Sequence, residues 1–177
     1  MGTIKSPPPV QFFTSIIFRD SGILSQAEAG LSGLLGALDE KTAVVPFCQS
    51  DYYEPEMGTE LMRCFLLFQP LLDRERLAEI KGATNRIEER LSTDGRRLVN
   101  IDPGYVALEH MVLATTKGYS HRLYLGQGIF ADLTLIYDNG TYRPLPWTYP
   151  DYGSDELISL FNLWRERYKR LLRWRRA

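Results

Sequence analysis

Histidine and cysteine occur only twice each in this chain, and their scarcity removes several chemistries at once. His110 and His121 have no histidine four residues away and no H-E-x-x-H frame, which argues against zinc. Cys48 and Cys64 match no zinc spacing, and two cysteines do not make a disulfide scaffold; both are expected to be buried free thiols. There is no G-x-S-x-G, and neither cysteine adjoins a histidine, so nucleophilic catalysis has no local support. Long apolar runs are missing as well. No stretch approaches the roughly 20 apolar residues of a membrane span, and "MGTIKSPPPV" has no signal-peptide core. Gly2 with Ser6 fits M-G-x-x-x-[ST], a pattern too short to carry an assignment. A reduced, cytoplasmic protein with no membrane partner is expected. Nor does one sign of charge prevail: 21 basic against 22 acidic residues leave a net charge of −1 and no global field toward nucleic acid or membrane.

What is present reads as one globular domain. Its 177 residues, 44% hydrophobic and 24% charged, are enough to bury a core without staples. The leader 1–9 ends in "PPP" and reads as disordered or polyproline, with a single α+β domain over 10–177. "VQFFTSIIF" (10–18) is a core strand by its β-branched and aromatic content. From Ser21 the period becomes helical through Leu24, Ala27, Leu31, Leu34, Leu35 and Leu38, and Ser25 with Glu28 suggests a capping box. "TAVVPFC" (42–48) reads as a strand held to an edge or bulge by Pro46, and 59–72 as another, interrupted by Pro70. A helix follows Asp73, burying Leu77, Ile80, Thr84, Ile87 and Leu91, and ends at "STDG". Residues 96–108 form a strand running into a Pro-Gly turn. Hairpins follow at Gly126-Gln127-Gly128 and Asn139-Gly140, then a helix from Ser154 with the stripe Leu157, Phe161, Trp164, Tyr168, Leu171 and Leu172. The order β-α-β-β-α-β predicts a ferredoxin-like α+β core with a mainly antiparallel sheet and both helices on one face. C-terminal hairpin strands and a final helix extend it.

Three stretches could carry chemistry. "DYYEPEMG" places Asp51, Glu54 and Glu56 within six residues, a set suited to a hard cation such as Mg²⁺. A solvated acidic loop over Tyr52 and Tyr53 is the plainer reading. Asp102 lies in Asp-Pro-Gly, where turn formation explains it, although a strand end could aim it at the same pocket as Asp51. "ATTKGYSHRLYLGQG" gathers Thr115, Thr116, Lys117, His121 and Arg122 beside exposed glycine amides, suitable for a phosphate or carboxylate. No G-x-x-x-x-G-K-[ST] occurs, so this is not a P-loop, and Gly126-Gln127-Gly128 lacks the third glycine of a dinucleotide fingerprint. The last thirteen residues carry seven Lys or Arg and one Glu, which fits either an RNA-binding helix or a solvated one.

Together, "SDYYEPEMG", "VNIDPGY", "LATTKGYSHRLYLGQGIFADLTL" and "PLPWTYPDY", in this order, resemble a prokaryotic family of single-domain proteins of unknown function. Some of its members are labelled "GTP-binding protein". The resemblance implies a soluble cytosolic protein, but the chain has no Walker A loop and no N-K-x-D guanine reader. The expectation is a pocket for an anionic small molecule, a nucleotide or other phosphorylated ligand, with Mg²⁺ as the candidate ion. Asp51, Glu54 and Glu56 would be its acidic wall. Lys117, His121 and Arg122, with Thr116 and Asp102, would be its polar and cationic side, and Tyr52 and Tyr53 would stack. The alternatives are an RNA-binding module using the basic helix, or an assembly protein using Trp147, Tyr149 and Tyr152.

Overall fold

The computed structural model describes residues 2–175. In chain order the elements are β1 (Val10–Phe18), α1 (Ser21–Leu35), β2 (Leu38–Lys41), β3 (Val45–Pro46), α2 (Glu54–Met57), β4 (Met62–Leu72) and α3 (Leu77–Arg90). They continue with β5 (Val99–Val106), β6 (His110–Thr115), β7 (Arg122–Gly126), β8 (Ile129–Asp138), β9 (Thr141–Pro144) and α4 (Asp155–Trp174). All strands join one antiparallel sheet in the order β2-β4-β1-β5-β6-β8-β7, with β3 pairing to β4 and β9 to β8. The class is α+β with an antiparallel sheet. The finer ferredoxin-like arrangement is not established by the order of this nine-stranded sheet. No helix among the described residues is long and apolar enough to cross a membrane.

Alternation along β1 distributes the core to two sides. Phe12, Ile16 and Phe18 pack with Leu24, Ala27, Leu31 and Leu35 of α1 and with Leu77, Ile80 and Ile87 of α3. Phe13 faces the other way, into a cluster with Phe65, Phe161 and Trp164, which α4 lays over the sheet. Asp20 caps α1, accepting from the Gly22 and Ile23 amides, so the expected Ser25–Glu28 box is not used. Glu28 pairs with Lys41 instead.

Several boundaries differ from the sequence reading. The strand expected at 42–48 starts earlier, as β2 at Leu38, and within the expected span Val45–Pro46 form a two-residue strand on β4, with the Thr42 amide donating to the Phe65 carbonyl and the Phe47 amide to the Leu61 carbonyl. Pro70 does not interrupt β4; the register shifts between Gln11 and Phe13 opposite it, and this irregularity absorbs the missing donor. Cys64 is buried, and burial pushes its thiol up to about 11, whereas Cys48 is exposed. Arg165 does not face water, as its position near the basic end suggested: it is buried, donates to the Leu108 carbonyl at 2.8 Å and lies 3.3 Å over the Tyr137 ring. Arg173 of the same basic run is exposed, and Arg176 lies outside the described residues.

The most consequential difference is at Asp102-Pro103-Gly104. These residues form no turn; they continue β5, which pairs with β1 along Val99–Val106. β6 joins β5 only over Gly104–Val106. Before Gly104 the two strands part, so Pro103 needs no partner on that side. Gly104 is where they converge. A Cβ there would sit 2.6 Å from the Val112 carbonyl oxygen and 2.9 Å from both Leu113 and Phe13. Gly104→Ala is therefore expected to destabilise the fold by about 2 kcal/mol through overpacking, read as a lower urea midpoint at unchanged slope. An unchanged midpoint would mean that the strands separate there at little cost.

Candidate functional site

The parting of β5 from β6 opens a cleft of about 700 Å³, within the range of small-molecule sites. Its floor is Ser15 and Ile17 of β1 with their register partners Asp102 and Asn100 of β5. Leu113, Ala114 and Thr115 of β6 form one side, and Lys81, Asn85 and Glu88 of α3 reach in from another. Two loops close over it. The segment before β4 contributes Phe47, Tyr52 and Tyr53, and the segment before α4 contributes Tyr149, Asp151 and Tyr152.

The "DYYEPEMG" stretch folds as a 3₁₀ turn running into α2. Ser50 caps it by accepting from the Tyr52 amide, Pro55 occupies the first helical turn, and Gly58 ends it at φ 84°. This places Tyr52 and Tyr53 in the cleft, ring to ring at 5.1 Å. Burial pushes the Tyr53 hydroxyl well above the usual tyrosine range, and the neighbouring Asp102 carboxylate adds to the shift.

The three acids of the same stretch, the expected metal set, do not line the cleft. Asp51 and Glu54 are exposed and do not line the cleft. Glu56 forms a forked pair with Arg97, accepting from Nε at 2.9 Å and Nη2 at 2.7 Å, and these bonds hold its carboxyl below the ordinary range. No group of three or more His, Cys, Asp or Glu among the described residues is arranged to hold a metal ion.

The "TTKGYSHR" segment does meet the acidic stretch, through the tyrosines. Lys117 Nζ donates to the Tyr52 hydroxyl at 2.7 Å and lies 4.0 Å from its ring centroid. Thr116 and Arg122 also line the cleft. Arg122 is committed: its Nε donates to Asp132 at 2.8 Å and Nη2 to the Tyr149 hydroxyl at 3.0 Å. His121 is not in the lining. It stacks on Trp147 at 5.0 Å with Nε2 3.5 Å from Asp132, behind the wall.

Deeper in the cleft lies a polar network. Lys81 Nζ donates to the Ile101 carbonyl at 2.9 Å and to Asp102 Oδ1 at 3.1 Å. Asn100 Nδ2 donates to Asp102 Oδ2 at 2.7 Å, while Asn100 Oδ1 accepts from Arg97 Nη1 at 3.2 Å. Glu88 accepts from the Ile101 amide at 2.7 Å, and its burial raises its pKa above the usual carboxylate range. Arg63 on β4 is 8% exposed, lies among the rings of Phe47, Phe65 and Tyr152, and pairs with Asp151; its Nε has no hydrogen-bond partner.

Most of these inner groups were not singled out in the sequence, yet two signals were readable. Lys81 and Glu88 sit four residues after Leu77 and Thr84, so both interrupt the buried stripe of α3. Arg63 is a lone cation inside "MRCFLLF". Charge within an apolar period marks a side chain that has found partners inside the fold.

Of the aromatics considered as an assembly surface, Tyr152 is buried, whereas Trp147 and Tyr149 are exposed while Trp147 donates to the Leu133 carbonyl and Tyr149 accepts from Arg122. Along the basic helix, Arg165 is buried, Arg167 pairs with Glu40 and Lys169 with Glu166.

A family model described as a domain of unknown function, DUF4416, matches residues 8–168, so the chain belongs to that family. Neither the comparison with curated proteins nor that with solved structures gives a match.

Proposed function

We propose that this DUF4416 protein binds a small organic anion, a nucleotide or other phosphorylated molecule, in the cleft between β5 and β6. The observation that carries the reading is the state of the lining cations. Arg63, Lys81, Arg97 and Arg122 each have a carboxylate partner, whereas Lys117, among the described residues, has only the Tyr52 hydroxyl. An ammonium at the mouth of a cleft without a counter-charge is a ready partner for an incoming anion. Arg63, buried with its Nε unpartnered, supports an anion deeper in. The rings of Phe47, Tyr52, Tyr53 and Tyr149 supply the apolar surface that a base or sugar would cover. The reading carries no bound metal and no reaction.

Native mass spectrometry of the purified protein is expected to show a retained anion of small-molecule mass. Calorimetric titration with GMP and with inorganic phosphate should give saturable binding that Lys117→Ala weakens about tenfold, the size of one charge-assisted hydrogen bond. Absence of any retained species, together with no saturable heat for either ligand, would remove the proposal. Binding of RNA that survives Lys117→Ala and falls steeply with salt would favour the basic helix instead.

A further inference from the structure

Asp102 differs from the other carboxylates of the cleft. The side chains of Glu88, Asp132 and Asp151 are at most 10% exposed, whereas that of Asp102 is 32% exposed. Its orientation is fixed from both ends. Lys81 donates to Oδ1, and Asn100 donates to Oδ2. Asn100 cannot turn its amide over, because Arg97 only donates and holds the Asn100 oxygen. Arg97 is in turn clamped by Glu56. A carboxylate has about four lone-pair directions, so two remain for a ligand.

The charge balance narrows what would take those directions. With Lys81 at 3.1 Å, Asp102 is already compensated, and a second cation would gain little from it. A neutral donor loses nothing in this way. A sugar hydroxyl fits best, since a pair of adjacent hydroxyls can donate to both oxygens. Tyr53 and Tyr152 line the same cleft, and burial above all, with the Asp102 charge adding to it, pushes their hydroxyls above the usual tyrosine range.

We infer that Asp102 is a hydroxyl-reading carboxylate, positioned by Lys81, Asn100 and Arg97, and that the ligand is a sugar phosphate, either free or as the ribose phosphate of a nucleotide. This rests on the anion-binding reading of the same cleft. Lys117 takes the phosphate and Asp102 takes the hydroxyls.

The test is calorimetric titration of the full-length protein with inorganic phosphate, ribose 5-phosphate, 2-deoxyribose 5-phosphate and GMP. Ribose 5-phosphate is expected to bind at least about tenfold more tightly than inorganic phosphate, because hydrogen bonds to a charged acceptor are strong. The 2-deoxy compound should lose part of that gain on the unaltered protein, which keeps the test independent of any variant's folding. Asp102→Asn should abolish the gain, so that the variant binds ribose 5-phosphate and inorganic phosphate alike, and Lys117→Ala should weaken all four ligands in parallel. GMP binding tighter than ribose 5-phosphate assigns the sugar to a nucleotide, and equal binding assigns it to a free sugar phosphate. If phosphate binds and the sugar adds nothing, or if Asp102→Asn weakens both equally, the hydroxyl reading falls while the anion reading stands. If none of the four binds, both fall.

Discussion

Trp164→Ala is expected to destabilise the protein by about 4 kcal/mol, the largest single effect of a core truncation here. Trp164 is fully buried where α4 meets the sheet, with ring centroids 5.6 Å from both Phe13 and Phe161 and 6.4 Å from Phe65. Its indole also donates to Glu40 at 3.3 Å, tying the helix to the strand β2. Removing the ring leaves a cavity that neighbouring rings cannot fill, because each is held by strand or helix backbone. The consequence should reach the cleft. Phe65 supports the Arg63 guanidinium 4.9 Å from its centroid and meets Tyr152 edge-on at 5.9 Å. Urea unfolding measures the stability loss, and phosphate titration of the same variant measures the cleft. A fall below about 2 kcal/mol would show that the aromatic cluster re-closes around the hole.

The second large effect is electrostatic. Lys81→Met keeps the buried length of the side chain and removes its charge, leaving Asp102 and Glu88 without their ammonium and the Ile101 carbonyl without its donor. Breaking a buried pair from one side costs about 3 kcal/mol. The penalty should depend on pH. Burial already raises the folded pKa of Glu88, and Lys81 opposes that rise. Without Lys81 the folded pKa climbs further above its unfolded value of about 4.3. A raised carboxyl contributes stability that is fully present below the unfolded pKa and lost as pH rises through the folded one. The variant should therefore trail the parent most at neutral pH and least near pH 4. Urea midpoints of both proteins at the two pH values decide it. A deficit of the same size at each would mean that Lys81 acts through its hydrogen bond to the Ile101 carbonyl and not through its charge on Glu88.

How much of this was legible in the sequence varies from element to element. The period-3.6 stripes of α1, α3 and α4 and the apolar run of β1 were readable because each buries one face, and burial imposes a period. The Asn139-Gly140 hairpin was readable because its two residues, at φ 48° and 87°, need a conformation that few others adopt. The meeting of "DYYEPEMG" with "TTKGYSHR" followed from both lying at strand ends. Which side chains met did not follow: the tyrosines entered the cleft and the carboxylates stayed outside.

The sequence by itself determined the α+β class, the hairpins and the loops that border the cleft, since these depend on neighbours a few residues apart. The tertiary structure alone decided that Asp102-Pro103-Gly104 is strand and not turn. A Pro-Gly step is a turn signal locally, but pairing with β1 along all of β5 outweighs it, and the turn moves to the residues before His110. It also decided which ions are spent on each other. Whether Arg97 answers Glu56 or a ligand depends on a neighbour forty-one positions away, and no local pattern carries that information.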